Sequence, residues 1–153
     1  MPSHVDLSAA EMEIGQVEGR TRILPDAIAA SRSKFDYVMI DCPPSLNLLT
    51  INALSAARSV IVPLQCEFYA LEGLSQLLKT IEMAKASINP ALAIDGVMLT
   101  MYDRRNRLSA QVAEDVRKHL GRAVFETIIP RNVRIAESPS FAQPVIDLSL
   151  IHI

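Results

Sequence analysis

Asp41 is the residue with the clearest chemical opportunity. It closes an apolar, strand-like run, FDYVMID at 35–41, and is followed at once by Cys42, Pro43 and Pro44. Ligands of a parallel α/β sheet gather beyond the carboxyl ends of its strands, so a carboxylate there can orient a metal-bound water. Prolines at 43 and 44 stop the strand and stiffen the turn. A carboxylate that only caps the next helix is the alternative, and position alone leaves both readings open. Gln65 and Glu67 lie just past a second apolar run and have the form of an acid–base pair, with a structural role equally compatible. His4, His119 and His152 are scattered, without metal spacing and without a serine or cysteine at a nucleophile elbow. Cys42 and Cys66 are too few for a disulfide framework and lack zinc spacing, which leaves buried thiols.

The elements that must position these groups alternate in type. FDYVMID (35–41), RSVIVPL (58–64), AIDGVMLTM (93–101) and AVFETIIP (123–130) are nearly continuous apolar, β-branched runs, as expected of parallel strands covered on both faces. Segments of helical period, 47–56, 70–87 and 107–119, separate them, and Leu71, Leu74, Leu77, Leu78 and Ile81 form one core-facing stripe. The alternation predicts an α/β fold, a parallel sheet with flanking helices and right-handed crossovers. Upstream, LSAAEMEIGQVEG predicts a helix capped by Ser8 with Glu11 closing a capping box. Thr21 to Ser31 predicts another, with Pro25 in its first turn, and 131–137 a short one ending before Pro139.

The 153 residues, half of them apolar, suit one domain with one core. No apolar run approaches the ~20 residues that span a bilayer, and the first residues lack a signal-peptide pattern, so a soluble, cytoplasmic protein is expected. The net charge of -2 is uneven. Residues 1–94 hold seven Lys/Arg against ten Asp/Glu, whereas 95–135 hold eight against five. A basic second half suits an anionic partner or an ordinary solvated surface.

The phrase YVMIDCPPSLNLLTINAL resembles the Walker B strand and switch II segment of the ParA/Soj/MinD group of P-loop ATPases. VIVPLQCEFYALEGLSQLLKTI, GVMLTMYDRRNRLSAQV and TIIPRNVRIAESPSFAQPV resemble successive blocks of the same family, in its order and spacing. The likeness runs over 1–146, is nearer chromosomal ParA/Soj proteins than MinD, and fades in a tail at 147–153. It implies a partial P-loop NTPase fold of the ParA–MinD type. By position, Asp41 matches the aspartate that holds Mg²⁺ through water, and Pro43, Pro44 and Ser45 the segment that senses the γ-phosphate. Met101 and Asp103 match a loop near the adenine, and Pro130 with Arg131 a second loop flanking the base. The family implies ATP, Mg²⁺, a homodimer, a ParB-type partner and non-specific DNA binding in the nucleoid. Arg104, Arg105, Arg107, Arg131 and Arg134 are the DNA candidates, suited to duplex phosphates rather than base stacking because Tyr102 alone lies among the first three. Arg117, Lys118 and Arg122 read first as a solvated helix end. Gln65 and Glu67 fall in a block near the family's dimer interface.

The family's glycine-rich KGGxGKT loop has no counterpart, since Gly15, Gly19, Gly73, Gly96 and Gly121 are isolated from one another. Switch I is also missing. Hydrolysis by this chain alone is not expected, because phosphoryl transfer rests on positioning by those parts, and no nucleotide is expected to stay bound to the fragment. The opening resembles a block about a hundred residues into the family pattern, so a fragment with unpaired strands and low stability is expected. A naturally short DNA- or partner-binding module without catalysis, or a MinD-like positioning ATPase, are the alternatives.

Overall fold

The computed structural model describes residues 7–31, 35–43, 45 and 47–147. Along the chain run α1 (Leu7–Ile14), α2 (Ile23–Ser31), α3 (Leu48–Ala56), β1 (Ser59–Gln65), α4 (Ala70–Ser87), β2 (Ala93–Tyr102), α5 (Arg107–Leu120), β3 (Val124–Pro130) and α6 (Val133–Glu137). Short 3-10 turns follow α5 and α6, and a third spans Val145–Asp147. The fold is α/β, with a three-stranded sheet in the order β1-β2-β3. β2 and β3 are parallel, with Val97 beside Val124, Leu99 beside Ile128 and Tyr102 beside Pro130. β1 runs the same way, because Arg58 pairs with Ala93 at its start (3.1 Å) and Cys66 with Thr100 past its end (3.1 Å). Gly96 sits where β2 needs no side chain: a Cβ there would lie 2.9 Å from the Ala123 carbonyl and 3.0 Å from the Phe125 ring.

The chain divides into two compact units, residues 1–60 with 76–93, and residues 61–75 with 94–153. In the first, Ala53, Leu54, Ile81, Ala84 and Leu92 are buried around a polar hub. Asn52 on α3 donates to the carbonyls of Arg20 (2.6 Å) and Leu48 (3.0 Å) and accepts from the Leu24 amide (3.2 Å), which ties α2 to α3. Asn89 donates to the carbonyls of Leu54 (2.9 Å) and Ala57 (2.8 Å), satisfying the otherwise unpaired C-terminal end of α3. In the second unit Val62, Leu64, Cys66 and Leu74 are buried, as are Val97 and Leu99 of β2, Val112, Ala113 and Val116 of α5, and Val124 of β3.

Three of the four expected strands form. The run at 35–41 does not: none of it is helix or strand, and Tyr37 and Met39 are 89% and 90% exposed. A strand exists only through its ladder, and the described sheet offers these residues no partner. Helix α1 begins at Leu7, one residue before the expected cap at Ser8, and Glu11 reaches forward instead, accepting the Leu48 amide at the start of α3 (2.9 Å). The remaining helices fall within a residue or two of their expected limits, with Pro25 in the first turn of α2. Pro44, residues 1–6 and the tail beyond Asp147 lie outside the described residues. No helix among the described residues is long and apolar enough to cross a membrane.

Candidate functional site

The groups singled out by sequence fall in both units, and each set has its own geometry. In the first unit Asp41, Cys42, Pro43 and Ser45 are exposed ahead of α3. Local burial, and then the neighbouring Asp41 charge, raise the Cys42 thiol above its ordinary range. Helix α3 begins at an Asn47 cap whose side chain accepts the Thr50 amide (2.9 Å), so Asp41 is not its capping residue. No three metal-ligating side chains converge among the described residues. One exposed carboxylate fits a hydrated Mg²⁺, which keeps several waters and completes its shell from phosphate oxygens.

The second set is drawn together at the carboxyl edge of the sheet. β2 ends through Met101, whose backbone is left-handed (φ 55°), an uncommon state for a residue with a side chain. Asp103 then turns the chain, accepting the Arg105 amide (3.0 Å) and its guanidinium Nε (3.3 Å). The backbone bond and the guanidinium together hold the Asp103 carboxyl below the usual carboxylate range. β3 ends at Pro130, and the Arg131 amide donates to the Tyr102 carbonyl (2.9 Å), extending the ladder past the strand. The Arg131 side chain meets Glu67, beyond the end of β1, at 3.1 Å. Because β1 and β3 flank β2, this ion pair bridges the sheet's two outer strands across the end of the middle one.

Beneath these groups lies a cleft of ≈ 170 Å³ whose lining includes Cys66, Glu67, Met101, Asp103, Asn106 and Arg131. Helix α5 enters it through an Asn106 cap that accepts the Leu108 amide (3.0 Å), and buried Ser109 donates to the Cys66 carbonyl (3.2 Å). Burial raises the Cys66 thiol, which keeps it protonated and inert at neutral pH. The cleft is smaller than the ~300–1,000 Å³ of a site that engulfs a whole ligand, and suits one planar ring or one phosphate group.

Of the five arginines expected to meet DNA, Arg104, Arg107 and Arg134 are exposed and form no ion pair with another described residue. Arg105 and Arg131 are engaged by Asp103 and Glu67. Arg104, Arg105 and Arg107 stand at the start of α5, the end where the helix dipole disfavours cations, so helix stability does not account for them. Arg117, Lys118 and His119 stand at the favourable end. Glu67 was legible as one half of an acid–base pair and, by resemblance, as part of a block near the family's dimer interface; its place two residues past β1 was the available signal. Ser109 gave none, since its partner lies 43 residues away.

The AAA domain family model matches residues 1–94. The chromosome partitioning protein ParA of Caulobacter vibrioides is 58% identical over 148 residues, covering 95% of this chain and 55% of the relative. The sporulation initiation inhibitor protein Soj of Bacillus subtilis is 49% identical over 146 residues, covering 95% and 58%. The chain thus spans about half the length of the curated relatives it matches. Among solved structures, a cobyrinic acid a,c-diamide synthase from Mycobacterium smegmatis with bound ADP and magnesium superposes with a TM-score of 0.78 at 42% identity, covering 86% of this chain and 54% of the other.

Proposed function

The chain belongs to the ParA/Soj family of chromosome partitioning ATPases, and on that premise we propose that it supplies the Walker B, base-flanking and DNA-facing parts of a nucleotide-switch ATPase. The observation that carries this reading is the cleft at the carboxyl edge of β2, where Met101, Asp103 and Arg131 share one wall system, with Pro130 at the neighbouring strand end. Parallel sheets bind ligands at that edge. A fold neighbour solved with ADP and magnesium supports the same chemistry.

In this proposal Asp41 holds the water shell of Mg²⁺, and Pro43, Pro44 and Ser45 respond to the terminal phosphate. Met101 and Asp103 lie against one side of the base, Pro130 and Arg131 against the other. The metal, when bound, neutralises charge on the phosphates. Arg104, Arg105, Arg107, Arg131 and Arg134 meet duplex phosphates without reading sequence. Hydrolysis, dimerisation and response to a ParB-type partner belong to a longer protein with a phosphate-binding loop, acting in the cytoplasm on the nucleoid.

Titration of the chain with a non-hydrolysable ATP analogue and Mg²⁺, and separately with duplex DNA at two salt concentrations, tests this reading. Salt-sensitive DNA binding is expected, with nucleotide affinity too low for the isolated chain to retain ATP and lower still in Asp41→Ala. Binding of DNA alone, unaffected by nucleotide, would instead favour a non-catalytic DNA-binding module, consistent with the exposed Arg104, Arg107 and Arg134. Binding of neither would reject both.

A further inference from the structure

We propose that Glu67 is an internal competitor for the phosphate-binding guanidinium of Arg131, so that the anion surface at this edge of the sheet is partly closed in the free chain. The proposal rests on the anion-binding role given to Arg131 above and names how that role is regulated.

Three observations carry it. Glu67 and Arg131 lie 64 residues apart and come from opposite outer strands, so no local turn forces the pair. Their contact is a single Nη2–Oε1 bond of 3.1 Å with both side chains more than half exposed, so either partner can be exchanged for a group from solvent. Arg131 is anchored apart from that bond, because its amide is held by the Tyr102 carbonyl (2.9 Å). Losing Glu67 therefore frees the guanidinium without freeing the backbone. A carboxylate and a phosphate oxygen present the same acceptor geometry to an arginine fork, which makes Glu67 a local stand-in for phosphate. Asp103 engages Arg105 on the same edge in a similar way, through a turn two residues long.

The phosphate has two possible sources, a duplex backbone or a mononucleotide, and the test carries an arm for each. Binding of a fluorescent random-sequence duplex is followed by anisotropy over a salt series, and binding of ATP·Mg²⁺ by calorimetry. Both are applied to the full chain and to Glu67→Gln, Arg131→Gln, the double variant, and Glu114→Gln as a control for simple loss of an exposed negative charge on α5. Glu67→Gln is expected to tighten the arm whose phosphate Arg131 meets by about two- to fivefold, the range an exposed ion pair supports. In the duplex arm it is also expected to steepen the log–log salt slope by about 0.9, one more phosphate contact. Glu114→Gln should give a smaller gain, and the part of the Glu67→Gln gain that exceeds it should vanish in the Arg131→Gln background. A Glu67→Gln gain no larger than that of Glu114→Gln in both arms overturns the proposal, as does a gain that persists at full size without Arg131. If the unaltered chain binds neither probe, the anion-binding reading fails; Glu67→Gln binding where the unaltered chain does not would still support the competitor, and binding by none would overturn it too. Equal thermal melts of the variants exclude misfolding as the cause.

Discussion

Asp103 shows how a side chain can be readable by position and still acquire its main property from geometry. Its place past β2 was legible in the sequence, but the two contacts from Arg105 that depress its carboxyl depend on a turn only the fold reveals. A depressed folded-state value means the contribution of this turn is present above the unfolded carboxylate pKa, near ~3.9, and is lost as pH falls through the lower folded value. An NMR titration of the Asp103 carboxyl is expected to give a midpoint below that of a free aspartate, and Arg105→Ala to move it upward. The cysteines are a second residue-scale test. Both were read as buried thiols, yet Cys42 is exposed and Cys66 is not. Maleimide should label Cys42 in the native chain, slowly for an exposed thiol, and Cys66 only on unfolding. Asp41→Asn should speed Cys42 labelling at neutral pH by removing the smaller of the two causes that raise it. Rapid labelling of both cysteines in the native chain would contradict the burial of Cys66.

Among the elements, those whose pattern is self-contained were legible. α4 carries its own apolar stripe, α5 has a helical period and a basic last turn, and both helices form where these signals lie. β1, β2 and β3 are likewise where their apolar runs fall. The run at 35–41 has the same composition and no ladder, because strand identity belongs to a pair rather than to a sequence. Long-range polar ties were illegible for a related reason: Asn52 holds α2 to α3 through atoms 28 and 32 residues away. Asn52→Ala leaves a buried donor-acceptor set unmatched and should cost about 2–3 kcal/mol in a denaturant melt. Gly96→Ala is expected to cost about 1–3 kcal/mol, since the new methyl would meet a β3-side carbonyl as well as a ring that can move. A melt within ~0.3 kcal/mol of the parent for either variant would show that the local packing differs.

For the molecule as a whole, apolar surface is concentrated at a few places. Phe35, Tyr37, Val38, Met39 and Ile40 are all exposed in one run, and Phe68 and Tyr69 form an edge-to-face pair (5.1 Å) that is nearly three-quarters exposed. Contiguous apolar exposure of this kind drives association. Light scattering is expected to grow with concentration, and Met39→Lys to reduce it; a compact monomer at every concentration would count against the assignment. The same run has a second consequence, for the lifetime of the chain. A segment without a ladder is what a protease active site can accept. Brief trypsin-free digestion with chymotrypsin should cut first at Phe35, Tyr37 or Met39. The helix on the far side of that cut is still tied to α3 by the bonds of Asn52 to Arg20 and Leu24. The nicked protein should therefore elute at its original size and separate into two pieces only when denatured, so that its age can be read from a gel before it is visible in solution.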